Sequence, residues 1–331
     1  MNELGNTQAQ EKENGDTAGY LALKEGAGVV DRPGKTILRL SGKDPAGMLD
    51  AILTNAVPKD ANLGVYAALL NPKGRVQTDL RALKSGKEML IDTELEGAGA
   101  AREILGRYAP FSRVRIEDLS ENDEAWSILG LYGPRAMELL NSLQLAEHES
   151  EEIELGGASL LAAGVTAPVP GFDLLGPADA IRVARHYLVN AGATPVESDA
   201  YETARIEAGI PRFGADITPE NFPGETGILE SAVSFQKGCY PGQETVARMH
   251  YRGHPNRNLH RLVVDGPPPP PDTPIVQEGK QIGRITSVAP LPVNGSNLAL
   301  GYLSRNTRED FPISVGETPI SSIGLVGNDS R

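Results

Sequence analysis

The sequence predicts an α+β protein that ends in a small β barrel, and three observations carry that expectation. Helix-like and strand-like stretches alternate from residue 35 to about residue 256, which indicates packed layers of both kinds. Beyond residue 257 helical periodicity disappears, and short strand-like runs are divided by Pro/Gly turns. The 37 Gly and 25 Pro residues supply turns throughout and disfavour a helix bundle. At roughly 150 residues per domain, a length of 331 suits two domains.

Residues 1–19, MNELGNTQAQEKENGDTAG, hold four acids, one lysine and almost nothing apolar. That composition suits neither a signal nor a transit peptide and reads as a disordered tail. The α+β domain then spans 20–256. KTILRL at 35–40 is strand-like, and Asp44 with Pro45 forms an N-cap and first-turn pair that starts a helix. LGVYAALL (63–70) and RVQTDLRAL (75–83) flank Asn71-Pro72-Lys73-Gly74, which suits a type I turn and makes a hairpin. On its second strand Val76, Thr78, Leu80 and Ala82 share one face, while Arg75, Gln77, Asp79 and Arg81 share the other. EMLIDTE completes a meander. Helical and strand-like stretches alternate over GAGAAREILGRYA (97–109), VRIEDL (114–119), WSILGLYG (126–133), PRAMELLNSL (134–143), ASLLAA (158–163), GFDLLG (171–176) and ADAIRVARHYLVNAG (178–192). The acidic runs at 117–124 and 147–154 read as solvated loops. Asp199 and Glu202 form a capping-box-like pair that opens a short helix, and Gly209 closes it. In the terminal domain, 257–331, the strands are LHRLVVD (259–265), QIGRITSVA (281–289) and NLALGYL (297–303), with five prolines at 267–271.

Charge and composition exclude several classes of function. With 31 Lys+Arg against 44 Asp+Glu, the formal net charge of −13 repels nucleic acid and anionic membranes unless basic residues cluster. No apolar run reaches the eighteen or so residues that a membrane helix needs. The single cysteine, Cys239, cannot pair within the chain, which fits a reducing compartment such as the cytoplasm.

Residues 236–262, QKGCYPGQETVARMHYRGHPNRNLHRL, hold Lys237, Arg248, Arg252, Arg257 and Arg261 against one acid, Glu244. A basic island in an acidic chain is either a specific anion site or a set of solvated arginines. Cys239 lies inside it, on a tight loop made by Gly238 and Pro241-Gly242, just before a helix start at Gln243. A lone cysteine is commonly a buried small hydrophobe, but one beside a lysine and near a helix N-terminus has the setting of a reactive or metal-contacting thiol. Other motifs point less far. His250 and His254 have a metal-ligand spacing, but Gly253 and Pro255 interrupt the helix and no further ligand completes a site. Gly97-Ala98-Gly99-Ala100-Ala101-Arg102 departs from a dinucleotide loop where its third glycine is required. Cys239 with either histidine would make a nucleophile and base pair without an orienting acid.

Lys237-Gly238-Cys239-Tyr240-Pro241-Gly242-Gln243-Glu244, followed by Val246-Ala247-Arg248 and Arg252-Gly253, resembles the signature of the YgfZ family of folate-binding proteins in iron–sulfur cluster assembly and repair. That family is similar to the folate-binding domain of the glycine-cleavage aminomethyltransferase (T-protein). Asn71-Pro72-Lys73-Gly74 leading to Asp79, and ETARIEAGIP at 202–211, resemble the same domain. The resemblance implies an aminomethyltransferase-like folate-binding domain of two α+β subdomains with a terminal barrel, and tetrahydrofolate as ligand. It implies Glu207 as the carboxylate on the pterin, unless it is a solvated helix charge, and Asp79 as an acid near the folate. Where the transferases carry two adjacent acids, this sequence has Thr78-Asp79. Asn55 resembles a pocket position or serves a helix terminus, and Lys237, Arg248 and Arg252 would meet the glutamyl tail. The implied role is support of iron–sulfur client enzymes with Cys239 as reactive thiol. A folate-dependent one-carbon transferase and a cysteine-nucleophile enzyme are the alternatives.

Overall fold

The computed structural model describes residues 15–327 apart from 61, 122–124, 268 and 309. Most of the expected tail lies outside that range, and its last residues differ from expectation. Residues 15–19 open a helix, α1 (15–25), anchored where Leu23 is buried against Val30, Tyr132 and Val196.

Two antiparallel-rich sheets follow. The chain runs through β1 (Gly28–Asp31), β2 (Lys35–Gly42), α2 (Pro45–Ile52), β3 (Val65–Leu70), β4 (Val76–Ser85), β5 (Glu88–Glu94), α3 (Leu95–Ser112) and β6 (Val114–Asp118). It continues through β7 (Trp126–Tyr132), α4 (Ala136–Leu139), β8 (Ser150–Leu155), β9 (Ala158–Val165), β10 (Gly171–Pro177), α5 (Ala178–Asn190), β11 (Thr194–Val196) and α6 (Ser198–Glu207). One sheet has the order β3-β4-β5-β2-β6, the other β11-β1-β7-β10-β9-β8. Apolar side chains explain their stacking. Leu40, Leu80 and Ile91 bury one face of the first sheet under Leu49 of α2 and Leu105 of α3. Leu131, Leu174 and Ala162 do the same for the second under Ile181 and Leu188 of α5. Ile37, Leu83 and Leu90 meet Ile128, Leu161 and Leu175 between the sheets, so the layers run helix, sheet, sheet, helix.

The predicted start of α2 is observed, with Asp44 Oδ1 accepting from Gly47 N at 2.9 Å. In the hairpin turn Asn71 Oδ1 accepts from the amides of Lys73 and Arg75, and Gly74 takes left-handed geometry at φ +80. The acidic run at 147–154 is not a loop: it includes β8, an edge strand whose Glu151, Glu152 and Glu154 face solvent while Ser150 and Leu155 are buried. Charges on an edge strand protect it from pairing with another chain, so acidity here marks an edge rather than a loop.

After α6 come the short α7 (Leu229–Ala232) and α8 (Gln243–Arg252). The remainder is a closed barrel, order β12-β15-β14-β13-β16-β17, built from β12 (Arg257–Val264), β13 (Pro274–Gln277), β14 (Lys280–Val288), β15 (Asn297–Ser304), β16 (Ile313–Val315) and β17 (Thr318–Leu325). Its interior is filled by Leu262, Ile275, Ile285 and Leu303. The three expected barrel strands are present, and β13, β16 and β17 complete the closure.

Candidate functional site

A cavity of about 1190 Å³ lies where β1, β2, β3, β4 and β10 meet α6, with ends of β12 and β17 on its wall. Strand alternation makes its floor polar. On β4, Leu80 and Ala82 belong to the core under α3, so Asp79 and Arg81 are delivered to the cavity, as their shared face predicts. Tyr66 stands opposite Arg81 on β3, and Ala68 opposite Asp79, which makes Tyr66 and Asp79 diagonal neighbours. Tyr66 Oη donates to Asp79 Oδ2 at 2.5 Å. Burial raises the Asp79 carboxyl above its ordinary range, and the Tyr66 bond opposes that rise only in part. Burial also raises the Tyr66 phenol well above the usual tyrosine range, so it stays protonated and remains a donor.

Asp92, Asp173 and Glu94 are paired with cations. Arg81 reaches Asp92 at 2.8 Å and Asp173 at 2.6 Å, and Lys35 reaches Glu94 at 2.7 Å. Arg32 donates to Tyr132 Oη at 2.6 Å and lies 4.5 Å from the Tyr201 ring centroid. Burial would raise Asp173, but Arg81 and Arg32 hold its carboxyl below the ordinary value. Asp79 therefore stands apart, as an acid whose partner is a phenol. His148 also lines the cavity. Burial, reinforced by the charge of Arg81, holds its pKa down, so the imidazole is neutral.

Helix α6 forms one wall. Tyr201, Glu202, Arg205 and Ala208 recur at helical spacing on the lining face. Glu202 accepts from Arg205 Nε at 2.8 Å and Nη2 at 2.6 Å, so it serves the arginine rather than the expected capping pair. Arg205 Nη1 continues to Asp216 at 2.8 Å, and Asp216 accepts from Thr286 and Ser287 of β14 at 2.5 and 2.7 Å. This chain of bonds fixes the barrel against α6.

Several residues singled out by sequence lie elsewhere. Glu207 is off the lining face of α6. It accepts from Tyr20 Oη at 2.7 Å and pairs with Lys24 at 2.5 Å, both on α1, so it is neither on the cavity wall nor a solvated charge. Asn55 borders the cavity, but its amide donates to the Tyr66 and Ser231 carbonyls and its oxygen accepts from Ala56 N. Lys237 corrects the tail assignment: its ammonium donates to the carbonyls of Asp50, Leu53 and Asn55 at 2.5, 2.9 and 2.9 Å, and its side chain is 3 % exposed. It caps the C-terminal end of α2, where unpaired carbonyls attract a cation. Arg248 and Arg252 are exposed on α8 and do not line the cavity.

Cys239 is exposed, on the loop before α8, and is not on the cavity wall. Lys237 beside it in sequence is spent on α2. Tyr240 is buried with Phe213, Ile228 and Val246, and burial pushes its phenol up to about 12. Gly242, at φ +83, starts α8 against the hairpin turn. A Cβ there would lie 2.6 Å from Asn71 O and 2.9 Å from Gly74 Cα, so the motif and the hairpin interlock through two glycines. Gln243 is half-buried and Glu244 exposed in the first turn of α8. The basic island is thus dispersed, with Arg257 over the Tyr302 ring at 5.1 Å and only Arg261 on the cavity wall. Arg32, Lys35, Tyr66, Asp173 and Glu202 are the site residues that the sequence reading missed. An acid inside the apolar run GFDLLG was the available signal for Asp173.

Fold and site together define a two-sheet α+β domain closed by a terminal barrel around one large polar cavity. Residues 7–237 match the GCVT N-terminal domain, and residues 257–320 match the glycine cleavage T-protein C-terminal barrel domain. The chain belongs to the GCVT, or glycine cleavage T-protein, family. It is 28 % identical over 313 residues to the aminomethyltransferase of Moorella thermoacetica, covering 91 % of this chain and 83 % of that protein. The aminomethyltransferase of Thermus thermophilus is 28 % identical over 308 residues, covering 89 % and 85 %. The crystal structure of glycine cleavage system aminomethyltransferase T from Bartonella henselae superposes with a TM-score of 0.79 at 19 % identity, over 93 % of this chain and 87 % of that one, a likeness of fold.

Proposed function

We propose that this protein binds tetrahydrofolate in the central cavity and acts there as a folate-dependent one-carbon transferase of the aminomethyltransferase kind. The observation that carries the reading is the buried Asp79 carboxyl, held by Tyr66 while Glu94, Asp92 and Asp173 are spent on cations. A reduced pterin is flat and presents N–H donors at its edge, and one carboxylate can accept two parallel N–H bonds. The cavity is large enough for a drug-sized ligand. Bound tetrahydrofolate would supply the two nitrogens between which a one-carbon unit is carried. Asp79 would orient the pterin and hold a proton within reach of it, because a raised carboxyl pKa lies nearer to neutrality. Tyr66 would keep Asp79 in place, and Arg81 and Arg32 would keep Asp173 ionised behind it. Aminomethyltransferase relatives spanning nine-tenths of the chain support this chemistry. Consumption of methylene-tetrahydrofolate by the parent, with loss in Asp79→Asn, is the expected result; no consumption with any amine or thiol acceptor would overturn the transferase reading.

A second reading keeps the folate and changes its use: support of iron–sulfur cluster assembly or repair in client enzymes of the cytoplasm. The observation favouring it is Cys239, the sole thiol, exposed outside the cavity on the loop whose Tyr240 and Gly242 pack against the domain. Cys239→Ala should then leave folate binding and melting temperature unchanged while iron–sulfur enzyme activity in cells falls. Unchanged client activity would overturn it.

A further inference from the structure

We propose that Arg212 and Arg261 form the anion end of the cavity and take the glutamyl carboxylates of a folate tail, an inference that rests on the folate reading above. The residues expected for that task from sequence are engaged or placed elsewhere, whereas these two guanidinium groups line the wall. Arg212, 37 % exposed, follows α6, and its Nε is buried without a hydrogen-bond partner among the described residues. The acid it approaches is Glu202, at 3.7 Å, whose two oxygens already accept from Arg205. Arg212 is therefore rich in unspent donors. Arg261 enters from β12 and gives Nη1 to the main-chain oxygen of Glu207 at 2.6 Å. Gly324 stands opposite it on β17.

Arg212 and Arg261 meet α6 at two different residues, Glu202 and Glu207, and so offer two guanidinium groups to a chain of carboxylates. The planar fork of each guanidinium matches the two oxygens of a carboxylate.

The test compares three ligands under anaerobic calorimetry: tetrahydropteroate, which lacks glutamate, tetrahydrofolate, and its triglutamate. The full-length parent should bind all three, tightening by roughly tenfold or more from the first to the last, with the gain reduced by added salt. Arg212→Gln and Arg261→Gln should each lose most of that gain and keep the tetrahydropteroate affinity, which also reports an intact fold. If tetrahydropteroate binds but the gain survives both substitutions, or is lost in Arg248→Gln or Arg252→Gln instead, the tail assignment is wrong while the folate reading stands. If the parent binds none of the three, the folate reading fails and this inference with it.

Discussion

The buried Asp79 carboxyl makes stability depend on pH. Its carboxyl is held above the ordinary carboxylate value by burial. As pH rises from about 4 the unfolded chain releases this proton first while the folded chain retains it, so stability falls across the window up to the raised value. Above that window the full cost of a buried charge is carried. Asp79→Asn keeps an oxygen for Tyr66 and removes the charge, so the variant should melt higher than the parent near neutral pH. The difference should shrink towards zero as pH falls to about 4. Calorimetric melting of both proteins across that range checks it, and a variant that melts lower at neutral pH would show that the charge is satisfied. Lys237 makes the opposite case, a residue whose sequence setting suggested ligand binding and whose geometry is structural. Lys237→Met should lower stability by about 1–3 kcal/mol, because three carbonyls at the end of α2 lose their donor. Folate discrimination by tail length should not change. No sequence pattern could reveal this role, since the carbonyls lie more than 180 residues away. That Asp79 and Arg81 share one face, by contrast, was legible from strand alternation, while Asp79 as a site residue came from the resemblance.

At the scale of elements, α6 is the part that joins the site to the barrel. Arg205 is bound on both sides, by Glu202 on its own helix and by Asp216, whose carboxylate is fully buried against Thr286 and Ser287. Arg205→Leu would leave Asp216 without its cation, and breaking a buried pair in this way costs about 3–5 kcal/mol. Urea unfolding should show that loss, accompanied by weaker ligand binding because Arg205 belongs to the cavity wall. A loss below about 1 kcal/mol would mean that the hydroxyl groups satisfy Asp216 unaided. The helix itself was readable from its sequence, but not which of its charges points inward. Glu207 and Glu202 are five residues apart and differ by about 140° around the axis, and packing of α1 onto the far side decides between them. Element type was likewise harder to read where charge dominated. The run containing β8 has too few apolar residues to betray a strand, because one of its edges is unpaired and both its faces are partly wet.

At the scale of the whole molecule, the sequence announced two domains and a change from mixed to all-β structure near residue 257, because turn chemistry and periodicity are local. The cavity was less legible. It is assembled from β1, β4, β10 and α6, whose contributing residues are as much as 175 positions apart, and the sheets that carry them pair through long-range register. Motif resemblance reached the hairpin and the loop before α8, and the structure shows that the two interlock at Gly74 and Gly242. It placed ligand contacts on that loop, whereas the polar wall lies on the sheets. Tetrahydrofolate is proposed to be held in this cavity through Asp79. The most direct test is anaerobic calorimetric titration of the full-length protein and of Asp79→Asn with tetrahydrofolate. One site per chain is expected, with affinity roughly ten- to a hundredfold weaker in the variant, the worth of about 1.5–3 kcal/mol for a charge-assisted contact. Absence of binding to the parent, or equal affinity in both proteins, would contradict it.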